Sequence, residues 1–356
     1  METASFRHSG WARALLVLVG VWLWLGVSGS SAVGAPPERV RVAATRPLPE
    51  RLSGTGLFLP GTRNVDPAHL AYVPQYPLWS DGAKKRRWAS VPEGGVIDAS
   101  DPDSWEFPAG TRFWKEFSFG ERVETRYLEK LSDGSFRYAT YVWDPALDDG
   151  VLAPEGGVRG VHDLGGGVRH DVPSDGECRA CHEGRRSPVL GFGALQLSSD
   201  RDPLAPHREP RQKDGVDLKE LVRRGLVVNL PGSAVTTPPR IAGSPRERAA
   251  AGYLFGNCAG CHNARGPLAF VGLDFDQPLG DPRARRARES VEWRRSAFVL
   301  PDERESFRVV PGKPEESAVW FRMHATDPAS RMPPLGTKLV DAEALQLIRT
   351  WISRDF

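Results

Sequence analysis

The chain has 356 residues, 40 % of them apolar and 26 % charged, and a net charge of +2. That is an ordinary globular composition, long enough for two or three domains. Acidic and basic residues are interspersed almost throughout, which leaves no general case for nucleic acid.

At the amino end, Arg7, His8 and Arg13 stand before an uninterrupted apolar run from Ala14 to Val27, and small residues follow through Ala35. Charge, apolar core and small residues in that order make a secretory signal peptide over residues 1–35, cleaved near Ala32 to Ala35. The 14 apolar residues fall short of the about 20 that span hydrocarbon. No later segment is long and apolar enough to cross a membrane, so no span is expected after cleavage and the rest of the chain is expected in the periplasm.

Residues 45–160 read as a β-rich domain. Thr111 to Phe119 places Phe113, Phe117 and Phe119 on one parity, Val123 to Leu131 follows, and Phe136 to Trp143 alternates Phe136, Tyr138, Thr140 and Val142, as strands of a three-stranded meander do. Asp133-Gly134 is a two-residue, positive-φ hairpin signal. Tryptophans 79, 88, 105, 114 and 143 fall in this region; large aromatics dominate core energetics, so they are expected inside rather than on a carbohydrate-binding face. Glycines crowd the stretch from Gly156 to Gly167; no strand-turn-helix context follows it, so Gly165-Gly166-Gly167 reads as a linker or loop, not a phosphate cradle.

All four cysteines then fall in two pentapeptides, Cys178-Arg179-Ala180-Cys181-His182 and Cys258-Ala259-Gly260-Cys261-His262. This is the C-x-x-C-H spacing of c-type haem attachment: two thiols three residues apart can form thioethers to the two vinyl groups, and the following imidazole faces the iron. A four-cysteine zinc ribbon sets its pairs about 15–20 residues apart, whereas 76 residues lie between Cys181 and Cys258. Eight histidines in 356 residues make the coincidence of a histidine after both pairs rare. Two covalently bound haem c groups are therefore expected, the first in a segment over residues 161–235 with one helix from Asp217 to Leu226. Pro231-Gly232 and Pro238-Pro239 mark a linker after it.

In residues 240–356, Ser244, Pro245 and Glu247 form a capping box that opens a helix leading into Cys258. Six arginines lie between Arg283 and Arg295 (Arg283, Arg285, Arg286, Arg288, Arg294 and Arg295), a solvated helical face or a docking patch for an acidic redox partner. Asp341 caps a terminal helix with a Val340–Leu345 staple and Leu345, Ile348 and Ile352 along one face.

A helix before the haem motif, a helix at the end of the chain and Arg331-Met332-Pro333-Pro334-Leu335-Gly336 between them resemble a class I cytochrome c. The resemblance implies that Met332, 70 residues after His262, is the sixth ligand of the second iron. Met323 lies in a helical run and is expected to pack in a core. A thioether ligand stabilises Fe(II), so the second haem should have the higher potential. No methionine lies between Cys178 and Ser244; opposite His182 stands His170, eight residues before Cys178, or His207, 25 residues after His182, or nothing.

Tyr76 to Arg86, Phe107 to Thr111, Trp114 to Phe117, Glu124 to Arg126, and Gly252-Tyr253-Leu254 running on through Cys258, His262 and Asn263 resemble a family of secreted di-haem c-type cytochromes without an assigned reaction. The resemblance implies an α+β chain with a β-rich domain, a first haem-binding segment and an all-α class I cytochrome c domain, but no substrate. Electron transfer between redox protein partners is the function expected. The alternatives are a di-haem peroxidase-like oxidoreductase with an open first haem, and a tryptophan-rich domain that binds a partner or polymer.

Overall fold

Residues 47–356, apart from 213, 280–285, 302 and 304, are described by a computed structural model of the chain. The expected leader over residues 1–35 lies outside them, as do Arg283 and Arg285. In chain order the elements are β1 (Leu70–Ala71), β2 (Lys84–Ser90), β3 (Ile97–Asp98), β4 (Arg112–Phe119), β5 (Glu121–Lys130), β6 (Phe136–Asp144), β7 (Asp149–Leu152), β8 (Val158–Gly165) and β9 (Val168–Val172). After these come α1 (Asp175–His182), α2 (Leu218–Arg223), β10 (Val227–Val228), α3 (Gly232–Thr236), α4 (Pro245–Asn257), α5 (Arg286–Val291), α6 (Ala318–His324) and α7 (Ala342–Arg354). Helix and strand take equal shares of about 23 % each, so the chain is mixed, with its longest strands gathered in one antiparallel sheet.

That sheet has six strands in the order β1-β2-β4-β5-β6-β7. The expected meander is its centre, β4-β5-β6, and the flanking strands extend it. Successive side chains in a strand point to opposite faces, and here both faces are covered. Ala89, Phe113, Leu128 and Tyr138 lie side by side in register and bury against Trp105, Phe107, Phe192, Leu197, Leu218 and Leu221. Trp88, Trp114, Tyr127, Tyr141 and Trp143 fill the opposite face with Leu52, Leu57 and Phe58. Four of the five tryptophans are thus core, and Trp79 is half-buried. The indole N–H of Trp114 donates to Thr55 Oγ1 at 2.9 Å and that of Trp143 to Thr125 Oγ1 at 3.0 Å, which lets a polar handle be buried without loss.

One expectation is corrected here. In the Asp133-Gly134 hairpin only Gly134 has positive φ (+87°); the Gly134 N–H donates to Leu131 O and the Leu131 N–H to Ser135 O, which is a three-residue connection with a left-handed residue rather than a two-residue one. The Gly165-Gly166-Gly167 loop is the turn between β8 and β9, which pair antiparallel.

Residues on either side of position 160 share one core. Val189, Phe192, Leu197, Val216, Leu218 and Val227 pack with the sheet, and β10 pairs in parallel with β3. Asp217 caps α2, accepting from the Glu220 N–H at 2.9 Å. A second core joins α4 to α7 through Ala250, Leu254, Ala344, Ile348, Trp351 and Ile352. Its face on α7 is Ala344, Ile348, Trp351 and Ile352, with Leu345 only half-buried. Ser244 and Asp341 cap α4 and α7 as expected, accepting from the Glu247 and Ala344 N–H groups. The segment from Tyr76 to Asp81 ties this helical part to the sheet: the Trp79 N–H donates to Asn257 Oδ1 at 2.8 Å, and buried Asp81 accepts from the Lys338 and Leu339 N–H groups at 2.7 and 2.9 Å. Among the described residues no helix is long and apolar enough to cross a membrane.

Candidate functional site

The first C-x-x-C-H segment forms the end of α1. Ser174 Oγ accepts from the Glu177 N–H at 3.2 Å while the Glu177 carboxylate accepts from the Ser174 N–H at 2.7 Å, a reciprocal cap. Arg179 adds ion pairs to Asp175 and Glu183, one turn away on either side. Eight residues are too few to hold a helix by propensity alone, and none of them is fully buried. Its anchors are Cys178, packed against the core of the sheet, and the His182 ring, 5.3 Å from that of Tyr138.

The second segment follows directly from α4. Cys258 is its C-cap, donating its N–H to Leu254 O, and the His262 N–H donates to Cys258 O at 3.0 Å. A 13-residue helix buried along most of its length therefore fixes where this motif starts.

Although 76 residues separate them in sequence, the two motifs touch. Asn263 is buried and its amide nitrogen donates to Ala259 O in its own segment and to Gly184 O beside the other, both at 2.7 Å. Gly184 lies so close to Gly260 that a Cβ there would stand 2.3 Å from the Gly260 carbonyl oxygen. Cys261 Sγ donates to Ala180 O at 3.8 Å, and the thiols of Cys181 and Cys261 are near enough to shift each other's pKa. The interaction of the two thiols lowers the pKa of Cys181 and raises that of Cys261. Burial pushes Cys178 up to about 11 and Cys258 up to about 12.

All four cysteines are free thiols. Among the described residues no three or more His, Cys, Asp or Glu side chains converge as metal ligands, so the thiols are not gathered round one ion. Two attachment points at adjoining thiols, each followed by an imidazole, do fit a pair of covalently held haems.

The two imidazoles differ. His182 Nδ1 is 2.6 Å from Pro188 O, which makes Nδ1 the protonated nitrogen and leaves Nε2 with its lone pair for a metal. Desolvation lowers its pKa to about 4, against the pull of that carbonyl, so the ring is neutral at pH 7. His262 is likewise lowered to about 4, first by burial and then by Arg322 and Arg308, but its Nδ1 is buried without a hydrogen-bond partner among the described residues.

The structure places the remaining expected ligands as follows. Met332 sits in the loop before α7; its N–H donates to Arg322 O at 2.8 Å, the Arg322 side chain holds Ser330 O at 2.8 Å, and the same guanidinium acts on His262. The loop is thereby tied to the residue nearest in charge to the second imidazole. Met323 packs against the helical core. His170 is buried with Nε2 3.1 Å from Glu124 Oε1, and Glu124 also pairs with Arg126 at 2.6 Å; this cluster acts on Cys178. His207 lies at the start of α7, with Nε2 2.7 Å from Asp341 and Nδ1 3.2 Å from Glu343. The described members of the arginine run are each engaged: Arg286 with Asp274, Arg288 with Glu292, Arg294 with Glu289 O and Arg295 with Glu305.

Asn263 stands in the sequence only as part of the resemblance, and Gly184 and the carbonyl of Pro188 carry no signal in its pattern; the packing reveals how they join and orient the motifs. Comparison with protein-family models, with curated proteins and with solved structures finds no match for this chain.

Proposed function

We propose that this chain is a two-haem c-type cytochrome that passes electrons between redox proteins in the periplasm, in keeping with its resemblance to the secreted di-haem cytochromes. The observation that carries this is the direct contact of the two C-x-x-C-H segments through Asn263, Gly184 and the Cys181–Cys261 thiols. Cys178, Cys181 and His182 would hold one group, and Cys258, Cys261 and His262 the other. A haem bound this way supplies one-electron chemistry at its iron, and two attached at adjoining thiols supply a relay.

The chain's own residues set the direction of that relay. The Pro188 carbonyl raises the basicity of His182, which favours the more charged metal state. His262 has no such partner, and Met332 is the sulfur donor proposed opposite it; both features favour the reduced state at the second site. Residues 240–356 are on this reading the class I cytochrome c part, with α4 leading into the motif, α7 packed on α4 and the Met332 loop between. His170 is the donor proposed opposite His182, through Nδ1, since Nε2 is held by Glu124 in the pairing common among ligating histidines.

One observation favours the peroxidase-like alternative: His207 has both ring nitrogens on carboxylates, which leaves His170 of the two histidines expected opposite His182. Redox titration combined with electron paramagnetic resonance tests the choice. Two waves and two low-spin signals, with carbon monoxide binding to neither reduced haem, are expected. Carbon monoxide binding at one haem, with rapid peroxide-dependent oxidation of a reduced donor, would overturn the electron-carrier reading.

A further inference from the structure

The register of the sheet places three cations in one row. Arg87 pairs with Lys115 across β2 and β4, and Lys115 with Arg126 across β4 and β5. Like charges directly opposite in neighbouring strands destabilise a sheet, and this row lies on the same face as Phe113, Leu128 and Tyr138, one pair along from them, rather than on an open surface. Arg87 is 3 % exposed at its side chain and makes a bidentate pair with Glu209 at 2.6 and 2.9 Å. Arg126 is met by Glu124. Lys115, between them, has neither a carboxylate nor a hydrogen-bond acceptor among the described residues; its ammonium lies 5.0 Å from the centroid of the Phe117 ring, which Arg126 and Lys85 also approach at 4.3 and 5.7 Å. Lys85 donates to Ala83 O.

Two carboxylates for three cations leave one positive charge over, and Lys115 acts electrostatically on Cys181 and His182, as Arg126 does. Tyr138, one pair along on the same face, has its ring 5.3 Å from that of His182, and Cys178 packs on the same core, so the surplus charge faces the first C-x-x-C-H segment. Burial and the neighbouring cations press the same way, disfavouring the charged form of Lys115. A cation kept here calls for an anion, and the carboxylate that acts on it among the described residues, Glu209, is already held by Arg87.

We infer that Lys115 binds a propionate carboxylate of the haem attached at Cys178 and Cys181, completing the charge balance of the Arg87-Lys115-Arg126 row. The inference rests on the two-haem reading and adds to it the residue that fixes the acidic edge of one haem. It also gives a reason for three basic residues in register on a sheet face whose neighbouring row is Ala89, Phe113, Leu128 and Tyr138.

The test uses the full-length secreted protein and two variants, Lys115→Gln and Lys115→Arg, each checked for two haems by pyridine haemochrome. Resonance Raman spectra of the propionate bending modes and the two midpoint potentials are the readouts. With Lys115→Gln, one propionate mode should shift and the potential of the first haem should fall, because a positive charge next to a ferric centre is gone; the second haem should hold its value. With Lys115→Arg, mode and potential should stay near wild type. Unmoved modes and potentials in Lys115→Gln, with both haems present, would overturn the assignment while leaving the cytochrome reading intact. A change of the first haem from low to high spin would make Lys115 an iron ligand and overturn it too. Wild-type protein without two thioether-bound haems would remove the reading beneath it.

Discussion

The same pentapeptide pattern sits in two unlike surroundings. The first copy ends an eight-residue helix with no fully buried residue, set against a sheet face that carries Arg87, Lys115, Arg126 and Glu124, the last bonded to His170 of β9. The second copy follows a 13-residue helix whose apolar side is sealed against α7. Hydrogen bonding to the imidazole differs as well, present at His182 and missing at His262. The lesson is that the motif fixes attachment only. What an iron held there would do is set by neighbours contributed from distant parts of the chain.

That contrast can be broken most sharply at the proximal ligands. His182→Ala should remove the low-potential wave and leave the other, while His262→Ala should do the reverse; loss of both waves from either variant would show that the two sites do not fold independently of their occupants. Next in size is Glu124→Leu. Removing the buried carboxylate between Arg126 and His170 leaves uncompensated charge, at a cost of about 3–5 kcal/mol, and it should change the first haem's spectrum and spare the second's. Chemical denaturation and redox titration of the same samples would check both halves of that statement.

The join between the motifs comes third. Gly184→Ala forces a Cβ into the Gly260 carbonyl, which stands 2.3 Å from where it would lie, at about 1–3 kcal/mol by the cost of overpacking. Asn263→Leu deletes both bridging hydrogen bonds and leaves two buried carbonyls unmet, again about 1–3 kcal/mol. Both should slow electron exchange between the haems, measured by pulse radiolysis, without changing haem content; unchanged exchange in both variants would deny the contact its role.

The smallest effect is at the caps. Ser174→Ala and Ser244→Ala each remove one side-chain acceptor, about 1 kcal/mol. The loss in α1, which has little core to lean on, should appear in the first haem's spectrum, and the loss in α4 only in overall stability.

Much of this was legible in the sequence. Period-two alternation marked β4, β5 and β6 within a residue or two, and caps at Ser174 aside, the helix starts at Asp217, Ser244 and Asp341 were written in short polar residues before apolar runs. The strands that turn the meander into a six-stranded sheet were not, because β1 and β7 are short edge strands that take their order from pairing with longer neighbours. The β8-β9 hairpin was hidden behind glycines that serve its turn. Sharing of one core across position 160 could not be read either, since Val189, Phe192 and Leu197 follow no strand or helix period; they are loop residues whose burial is decided by the sheet they cover. At the site, spacing gave the thiols and proximal imidazoles, while the carbonyl of Pro188, the Gly184–Gly260 contact and the basic row of the sheet exist only through register and packing.

The central claim, two covalently attached haems on adjoining motifs, is tested most directly by the intact mass of the secreted, denatured protein, read alongside the haem absorbance of the same unfolded chain. The account predicts the mass of the processed polypeptide plus two haems, retained after unfolding, and one haem fewer in a variant with Cys178 and Cys181 both changed to alanine. A polypeptide that unfolds to its bare mass, with four free or disulfide-linked thiols and no haem absorbance, would contradict it.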